Sequence, residues 1–400
     1  MSAPISSFSR DLTSLLNLID SATTANSQIE HVFWEIQIKA TLNQLLKAKK
    51  EDSLEQALEY FAHHQSMAYE LLVEHLEALT ESQSKTFQKK NYDVLLISAP
   101  IVLWTRYQLP QKLTLEPALF TELSQQFQSL LLAKGCAAAF LPELLGFEQL
   151  PQSFTDTRLF TQQLGQQALK PGKQKNLVNS AQLGNDEALA EARFFVGAAV
   201  VPQHQPIFQW QAKPEQGTTL HAQAVASWKA VANKLLSPLF TGCSTEFLAP
   251  GPFYASNRLA DLQLRPAALK ASVTWLHAVT GVAPSSLRAT FAACGSNEVE
   301  EYRIGLTTQQ SNNVMYGCIW PVLTKDEANP DLFDSGLNAT ADTISTLLRE
   351  LGVRDIRRLP GLHELDGCDD CGAPYFPNPL GELVHPELPE DLDLNPVQFH

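Results

Sequence analysis

The strongest constraint on the fold is a pattern that occurs three times between residues 92 and 365. Each copy has an apolar strand, a proline with an aromatic neighbour, an amphipathic helix, a glycine and a second apolar strand. The copies run from Val94 to Pro142, from Phe194 to Pro250 and from Val314 to Pro360. Strands that alternate with helices are typical of α/β proteins, so we expect strand-helix-strand units built into one or more mixed sheets.

A glycine ends the helix of each copy, at Gly135, Gly242 and Gly352, where a left-handed residue terminates a helix readily. The first two glycines are each followed by a cysteine, Cys136 and Cys243. This likeness favours internal repeats. The alternative stays open, because α/β proteins in general repeat strand, helix, glycine and strand.

Residues 1–90 have a different pattern, with leucine, isoleucine and phenylalanine at helical spacing, which predicts a helical N-terminal domain. The polar stretch from Glu81 to Tyr92 is the expected linker. Further helices are expected from Ser153 to Leu169 and from Pro266 to Val282. Three α/β units and a proline-rich tail follow the helical domain, with expected bounds of 91–170, 191–285, 298–365 and 366–400. An α+β arrangement is the alternative fold class.

The net charge of −14 argues against nucleic acid and anionic membranes as partners, because phosphate groups repel an acidic surface. No apolar run approaches the roughly 20 residues that a membrane helix needs. The first residues lack a basic flank and an apolar core, so we expect a cytoplasmic protein whose six cysteines are reduced. A protein or a small molecule is therefore the expected partner, while the oligomeric state stays open.

The tail carries the one motif with a specific chemical meaning, a Cys-x-x-Cys-Gly turn at Cys368 and Cys371. Two intervening residues let both thiolates reach one metal ion. His385 and His363 are the nearest candidates for two further ligands, so the sequence predicts a structural zinc knuckle with two cysteines and two histidines.

Two other interpretations of this turn stay open. In one it is a redox dithiol, although the proline-rich run that follows cannot open the helix that such motifs use. In the other it binds no metal and staples the tail to the last strand. Its acids would then accept bonds from backbone amides or pair with arginines; the residues are Asp366, Asp369, Asp370, Arg357 and Arg358.

The other four cysteines, Cys136, Cys243, Cys294 and Cys318, are expected to be small buried hydrophobic residues. Signatures of phosphate-binding loops, hydrolase elbows and zinc metalloproteases are absent from the sequence. Nucleotide binding through the common loops is therefore disfavoured.

An anion site is the alternative, at the segment Trp104-Thr-Arg106 that follows the first strand. Ligands of α/β sheets gather beyond the carboxyl ends of strands, so Arg106 is a candidate for an anionic ligand. Arg303 and Arg258 are its possible companions. Pairing of these arginines with nearby acids is the competing interpretation.

Several short motifs together are distinctive: Ala99-Pro-Ile-Val-Leu-Trp-Thr-Arg-Tyr107, Glu301-Tyr-Arg-Ile-Gly305, Gly317-Cys-Ile-Trp-Pro321 and Asp370-Cys-Gly-Ala-Pro-Tyr-Phe-Pro-Asn-Pro379. With these motifs the chain resembles, over nearly its whole length, an uncharacterised betaproteobacterial family, domain of unknown function 2863. The resemblance implies a bacterial cytosolic origin and nothing about catalysis.

The leading hypothesis is a cytoplasmic binding or regulatory module whose tail is held in place by a structural zinc ion. The alternative hypothesis is an enzyme or sensor for a small anionic metabolite, bound at the carboxyl ends of the sheet strands near Arg106.

Overall fold

A computed structural model describes residues 8–105, 110, 112–170, 172, 189–324, 327–328 and 339–388. Helices and strands alternate through most of the chain after residue 89, and one of the two main sheets is mixed. The α/β class predicted from the sequence is therefore confirmed. Within the described residues, no helix combines the length and the apolar character that crossing a bilayer would require.

Four helices form the N-terminal part: α1 (Arg10–Thr23), α2 (Gln28–Lys47), α3 (Glu51–His64) and α4 (Ser66–Glu81). The side chains of Ser9 and Ser27 accept bonds from backbone N–H groups of the first turns of α1 and α2, which satisfies donors that a helix start leaves free. The helices share a core that includes Leu15, Leu42 and Phe61.

Helix α2 is apolar on two faces. Its C-terminal half buries Ile38, Leu42, Leu45 and Leu46, as helical spacing predicts. Its N-terminal half leaves a second apolar stripe in solvent, with Ile29 84 % exposed and Ile36 59 % exposed. Spacing alone therefore identified the helix but not the face that the core covers.

Within the described residues, the first sheet contains seven strands, all of them paired antiparallel. Its elements in chain order are β1 (Ser82–Phe87), β2 (Lys90–Trp104), β3 (Leu113–Thr114), α5 (Pro117–Leu131), β4 (Ala137–Leu145), α6 (Phe154–Leu169), β5 (Ala190–Pro202), α7 (Gly217–Leu236), β6 (Ser244–Phe247) and β7 (Gly251–Pro252). The strand order is β1-β2-β5-β4-β3, and β6 and β7 also pair with the long strand β2.

The first two sequence units interleave in this sheet. Strands β2 and β4 flank β5, while β5 and β6 flank β2, so each unit encloses a strand of the other. This is the split βαβ topology of ferredoxin-like domains, with α6 inserted. Odd-numbered residues of β2 such as Ile97 face α5 and α7, whereas even-numbered residues such as Leu96 face α6 and the helix that begins at Phe253. The strand is consequently buried on both faces.

The third unit forms a sheet of its own. Its elements are α8 (Phe253–Thr280), β8 (Leu287–Cys294), β9 (Glu301–Thr308), β10 (Tyr316–Pro321), α9 (Ala339–Glu350) and β11 (Asp355–His363). The order is β10-β9-β8-β11, with β11 parallel to β8 and the other pairs antiparallel. One face packs on α8 and α9, through residues such as Phe291, Leu276 and Ile344.

Two local expectations were wrong. The expected linker from Glu81 to Tyr92 is mostly a β-hairpin of β1 and β2, closed by Gln88 and Lys89, which both have positive φ. The other wrong expectation concerns the helix that was predicted to begin at Pro266. In the structure this helix begins at Phe253 and continues through the proline. The helix packs on both main sheets, with Ala260 before the proline and Leu269 after it in their cores, and this burial offsets the cost of an interior proline.

Candidate metal centre

The tail after β11 forms two short hairpins. In the first, Gly367 pairs with Pro374, and the Cys368 N–H donates to the Ala373 carbonyl over 2.8 Å. The Gly372 N–H donates to the Cys368 carbonyl over 2.8 Å, and Gly372 has a φ of 74°, which a residue with a side chain rarely adopts. This turn places both thiols of the Cys-x-x-Cys motif at the tip of the hairpin.

The second hairpin brings the histidine back to the cysteines. Strands β12 (Phe376–Pro377) and β13 (Leu383–Val384) pair antiparallel. Asn378 holds the connecting turn, since its side-chain oxygen accepts from the N–H groups of Leu380 and Glu382 at 2.9 and 3.0 Å. The chain then continues directly to His385.

Three ligand atoms meet between the hairpins. The Sγ atoms of Cys368 and Cys371 and an imidazole nitrogen of His385 all lie within 4.8 Å of one another. The Cys371 Sγ and the His385 Nε2 are 3.2 Å apart. A tetrahedral zinc ion, with Zn–S of about 2.3 Å and Zn–N of about 2.0 Å, separates its ligands by about 3.5–3.8 Å. The three residues therefore fit one zinc ion with small adjustments.

The turn also prepares one thiol for a metal. Hydrogen bonds from the backbone N–H groups of Cys371 and Asp370 lower the pKa of the Cys368 thiol below its usual range. The thiolate is the form that binds metal, so the turn favours the ligating state before any ion arrives.

His363, the fourth ligand predicted from the sequence, is not in this group among the described residues. It ends strand β11, and its Nε2 lies 3.2 Å from the carbonyl oxygen of Pro360. The structure thus brings together three of the four predicted ligands.

Arg303 lies beneath the tail. Its side chain is 6 % exposed and its Nε donates to Glu301 over 2.7 Å. Its Nη1 donates to the backbone carbonyls of Asp366 and Tyr375, the latter over 2.9 Å. The guanidinium therefore holds the first hairpin against the second sheet, and its contacts are those of a clamp for the tail.

The other residues of the predicted anion site are placed differently. Trp104 ends β2 in the first sheet and borders a cavity of about 270 Å³ with Trp275 of α8. Arg106 lies outside the described residues. Arg258 pairs with Glu77 of α4. An anion site at Trp104 and Arg106 stays a prediction.

The remaining cysteines fit a packing role. Burial raises the pKa of the thiols of Cys136, Cys294 and Cys318 to about 11 and raises that of Cys243 as well. These thiols are therefore protonated at neutral pH, which makes them poor nucleophiles and poor metal ligands.

Sequence reasoning missed two features that bear on function. One is the clamp formed by Arg303, which a Glu-x-Arg spacing on a strand would have indicated, because residues two apart share a face. The other is a basic groove between α2, β1 and α6, whose residues are scattered over more than a hundred positions.

Comparison with known proteins defines the family and little more. Among curated proteins and among solved structures, none matches the chain. The expected betaproteobacterial origin stays a prediction. A family model described as "Protein of unknown function (DUF2863)" matches residues 2–399, and the chain therefore belongs to that family.

Proposed function

We propose that the protein is a cytoplasmic binding module whose C-terminal tail is held by one zinc ion. The observation that carries the proposal is the meeting of Cys368, Cys371 and His385, whose ligand atoms lie within 4.8 Å of one another. Two thiolates and one imidazole neutralise a zinc ion and match its preference for sulfur and nitrogen. Water or a further protein donor completes the tetrahedron.

The role of the ion in this proposal is structural. The first hairpin supplies both cysteines and the second is followed by the histidine, so a shared ion ties the two together. Metal binding stabilises small elements such as these hairpins strongly. It would add to the anchors that the tail already has, among them Arg303, the buried ring of Phe376 and the Glu387 N–H, which donates to the Val314 carbonyl over 2.8 Å.

A metal analysis of protein made without a histidine tag tests the proposal. We expect about one zinc per chain in the wild type and a loss of zinc in Cys371→Ser. The matched control is Cys243→Ser, a thiol of the first sheet outside the ligand group, which should keep its zinc.

Chelation provides the second measurement. A strong chelator should lower the melting temperature of the wild type and accelerate proteolysis within residues 366–388, with little effect on Cys371→Ser. Protein without stoichiometric zinc, in which Cys371→Ser is as stable as the wild type, would exclude the zinc site. A disulfide between Cys368 and Cys371 in protein isolated with its thiols blocked would favour the redox interpretation instead.

A further inference from the structure

A groove of about 940 Å³ lies between α2, β1 and α6, far along the chain from the tail. Among the described residues, its lining includes three cations, Lys47 of α2, Lys85 of β1 and Arg158 of α6, and no carboxylate. Such a concentration of positive charge is unusual in a chain with a net charge of −14. Its volume is within the range of about 300–1,000 Å³ that small-molecule sites occupy.

Arg158 differs from the other buried arginines of the described residues. Arg193, Arg265 and Arg303 each pair with a glutamate, at 2.7, 2.9 and 2.7 Å. Arg158 is 9 % exposed and has no carboxylate within 4.0 Å among the described residues. Its Nη1 donates over 2.8 Å to the side-chain oxygen of Asn43, a neutral group. A buried guanidinium without an acid is costly, because a neutral acceptor compensates the lost hydration of its charge only in part.

The surroundings hold these cations in place. Exposed and less exposed residues alternate along β1, so Gln83 and Lys85 share the face that lines the groove. The Gln83 Nε2 donates to the Arg158 carbonyl over 2.9 Å, which ties β1 to α6. Desolvation lowers the pKa of both Lys85 and Arg158, and a bound anion would offset that penalty.

Asp93, the acid of the adjoining pocket, is already engaged. One carboxylate oxygen accepts from the Ser84 hydroxyl over 2.6 Å, and the other accepts from the His204 N–H over 2.9 Å. Both oxygens of Asp93 thus accept from uncharged donors, and none of the three cations forms an ion pair within 4.0 Å among the described residues. Even with the charge of Asp93 counted, the three cations leave this region positive.

We propose that this groove binds a small molecule through a phosphate group. Arg158 offers the forked donors that suit phosphate oxygens, while Lys47 and Lys85 supply the remaining charge. The amide side chains of Gln44, Gln83 and Gln162 offer hydrogen bonds to the uncharged part of the ligand. The site goes beyond the proposed zinc site and shares no residue with it.

Calorimetry on the full-length protein tests the proposal, with inorganic pyrophosphate as the probe and with ionic strength held constant. We expect saturable binding to the wild type, and affinity lowered about tenfold or more in Arg158→Gln, since a charge-assisted hydrogen bond is lost. Because that variant also loses the contact with Asn43, the double variant Lys47→Gln/Lys85→Gln is the second test and should weaken binding as much.

Lys234→Gln on α7 is the matched control for Arg158→Gln, because it also removes one positive charge, from an exposed position outside the groove. It should bind pyrophosphate as the wild type does. Equal affinity in the double variant and the wild type, or tighter binding of citrate than of pyrophosphate, would overturn the proposal. All groove variants should retain zinc, so failure here is distinguishable from failure of the zinc site.

Discussion

At the scale of single residues, the same kind of ion pair occurs in each of the two main sheets. In β5 the Arg193 Nε donates to Glu191 over 2.7 Å, and in β9 the Arg303 Nε donates to Glu301 over the same distance. Each arginine also donates to the backbone of another segment, Arg193 to Pro110 and Arg303 to the tail. Because the acid and the base are two residues apart, both lie on one face of the strand.

Replacing Arg303 should loosen the tail. We expect Arg303→Gln to lower the free energy of unfolding by about 3 kcal/mol, because it leaves Glu301 and two carbonyls without their donor in a buried place. Urea unfolding measures the loss. Arg354→Gln, at an exposed position, should change the same quantity by less than about 0.5 kcal/mol. Similar effects of the two substitutions would show that the contacts of Arg303 contribute little to the free energy of unfolding.

At the scale of elements, the tail covers the face of the second sheet that α8 and α9 leave open. Two glycines permit this contact. A Cβ on Gly305 would lie 2.2 Å from the Pro377 carbonyl oxygen, and one on Gly317 would lie 2.3 Å from the ring of Phe376. Both glycines are therefore explained by the close approach of the tail rather than by backbone conformation.

Gly317→Ala should push the tail away from the sheet. The added methyl group overlaps the ring of Phe376, so we expect a loss of about 1–3 kcal/mol in the free energy of unfolding. Limited proteolysis should also cut residues 366–388 faster than in the wild type. Gly251→Ala is the control, since its nearest neighbour, the Ser256 Oγ, lies at an ordinary 3.6 Å. Unchanged proteolysis in Gly317→Ala would contradict this account.

The hairpin of β1 and β2 shows why one element was missed. Its turn consists of Gln88 and Lys89, which lack the glycine or asparagine that usually marks a two-residue turn. Its first strand is an edge strand with polar residues on its exposed face, so it carries no strong apolar alternation. Pairing with β2, which is buried, makes it a strand.

At the scale of the whole molecule, the helical part is joined to the α/β part by polar contacts. The Tyr254 hydroxyl on α8 lies 3.1 Å from the Thr80 hydroxyl on α4. The Tyr254 N–H donates to the Glu81 carboxylate over 3.0 Å. On the other side, the Glu51 carboxylate of α3 accepts from the Phe154 N–H at the start of α6 over 3.1 Å.

Alkaline pH should weaken this junction. Burial raises the pKa of the Tyr254 hydroxyl from 10.0 to about 12, so its neutral form is favoured in the folded state. The contribution to stability is complete below pH 10.0 and is lost as the pH rises through about 12. At a pH of about 11 the wild type should have lost about 1 kcal/mol more than Tyr254→Phe, relative to a pH of about 8.

Urea unfolding of both proteins at the two pH values measures this difference. Because Tyr254→Phe differs from the wild type in this hydroxyl alone, alkaline effects elsewhere in the chain are common to both proteins. Parallel losses in the wild type and Tyr254→Phe would show that the hydroxyl titrates normally.

Features that depend on residues close together along the chain could be predicted from the sequence. Apolar spacing predicted the helices of the first ninety residues and the class of the fold, because periodicity reflects a covered face wherever the partner lies. The spacing of Cys368 and Cys371 predicted that both thiols would meet, and His385 was close enough along the chain to join them.

Only the tertiary structure decided what depends on distant segments. It placed His363 apart from Cys368, Cys371 and His385, interleaved the first two units in one sheet and left the N-terminal stripe of α2 in solvent. It also placed Arg158 in a groove with Lys47 and Lys85, where the described residues supply no acid. The charge of a side chain can be read from the sequence. The group that it contacts depends on which distant segments pack against it in the folded chain.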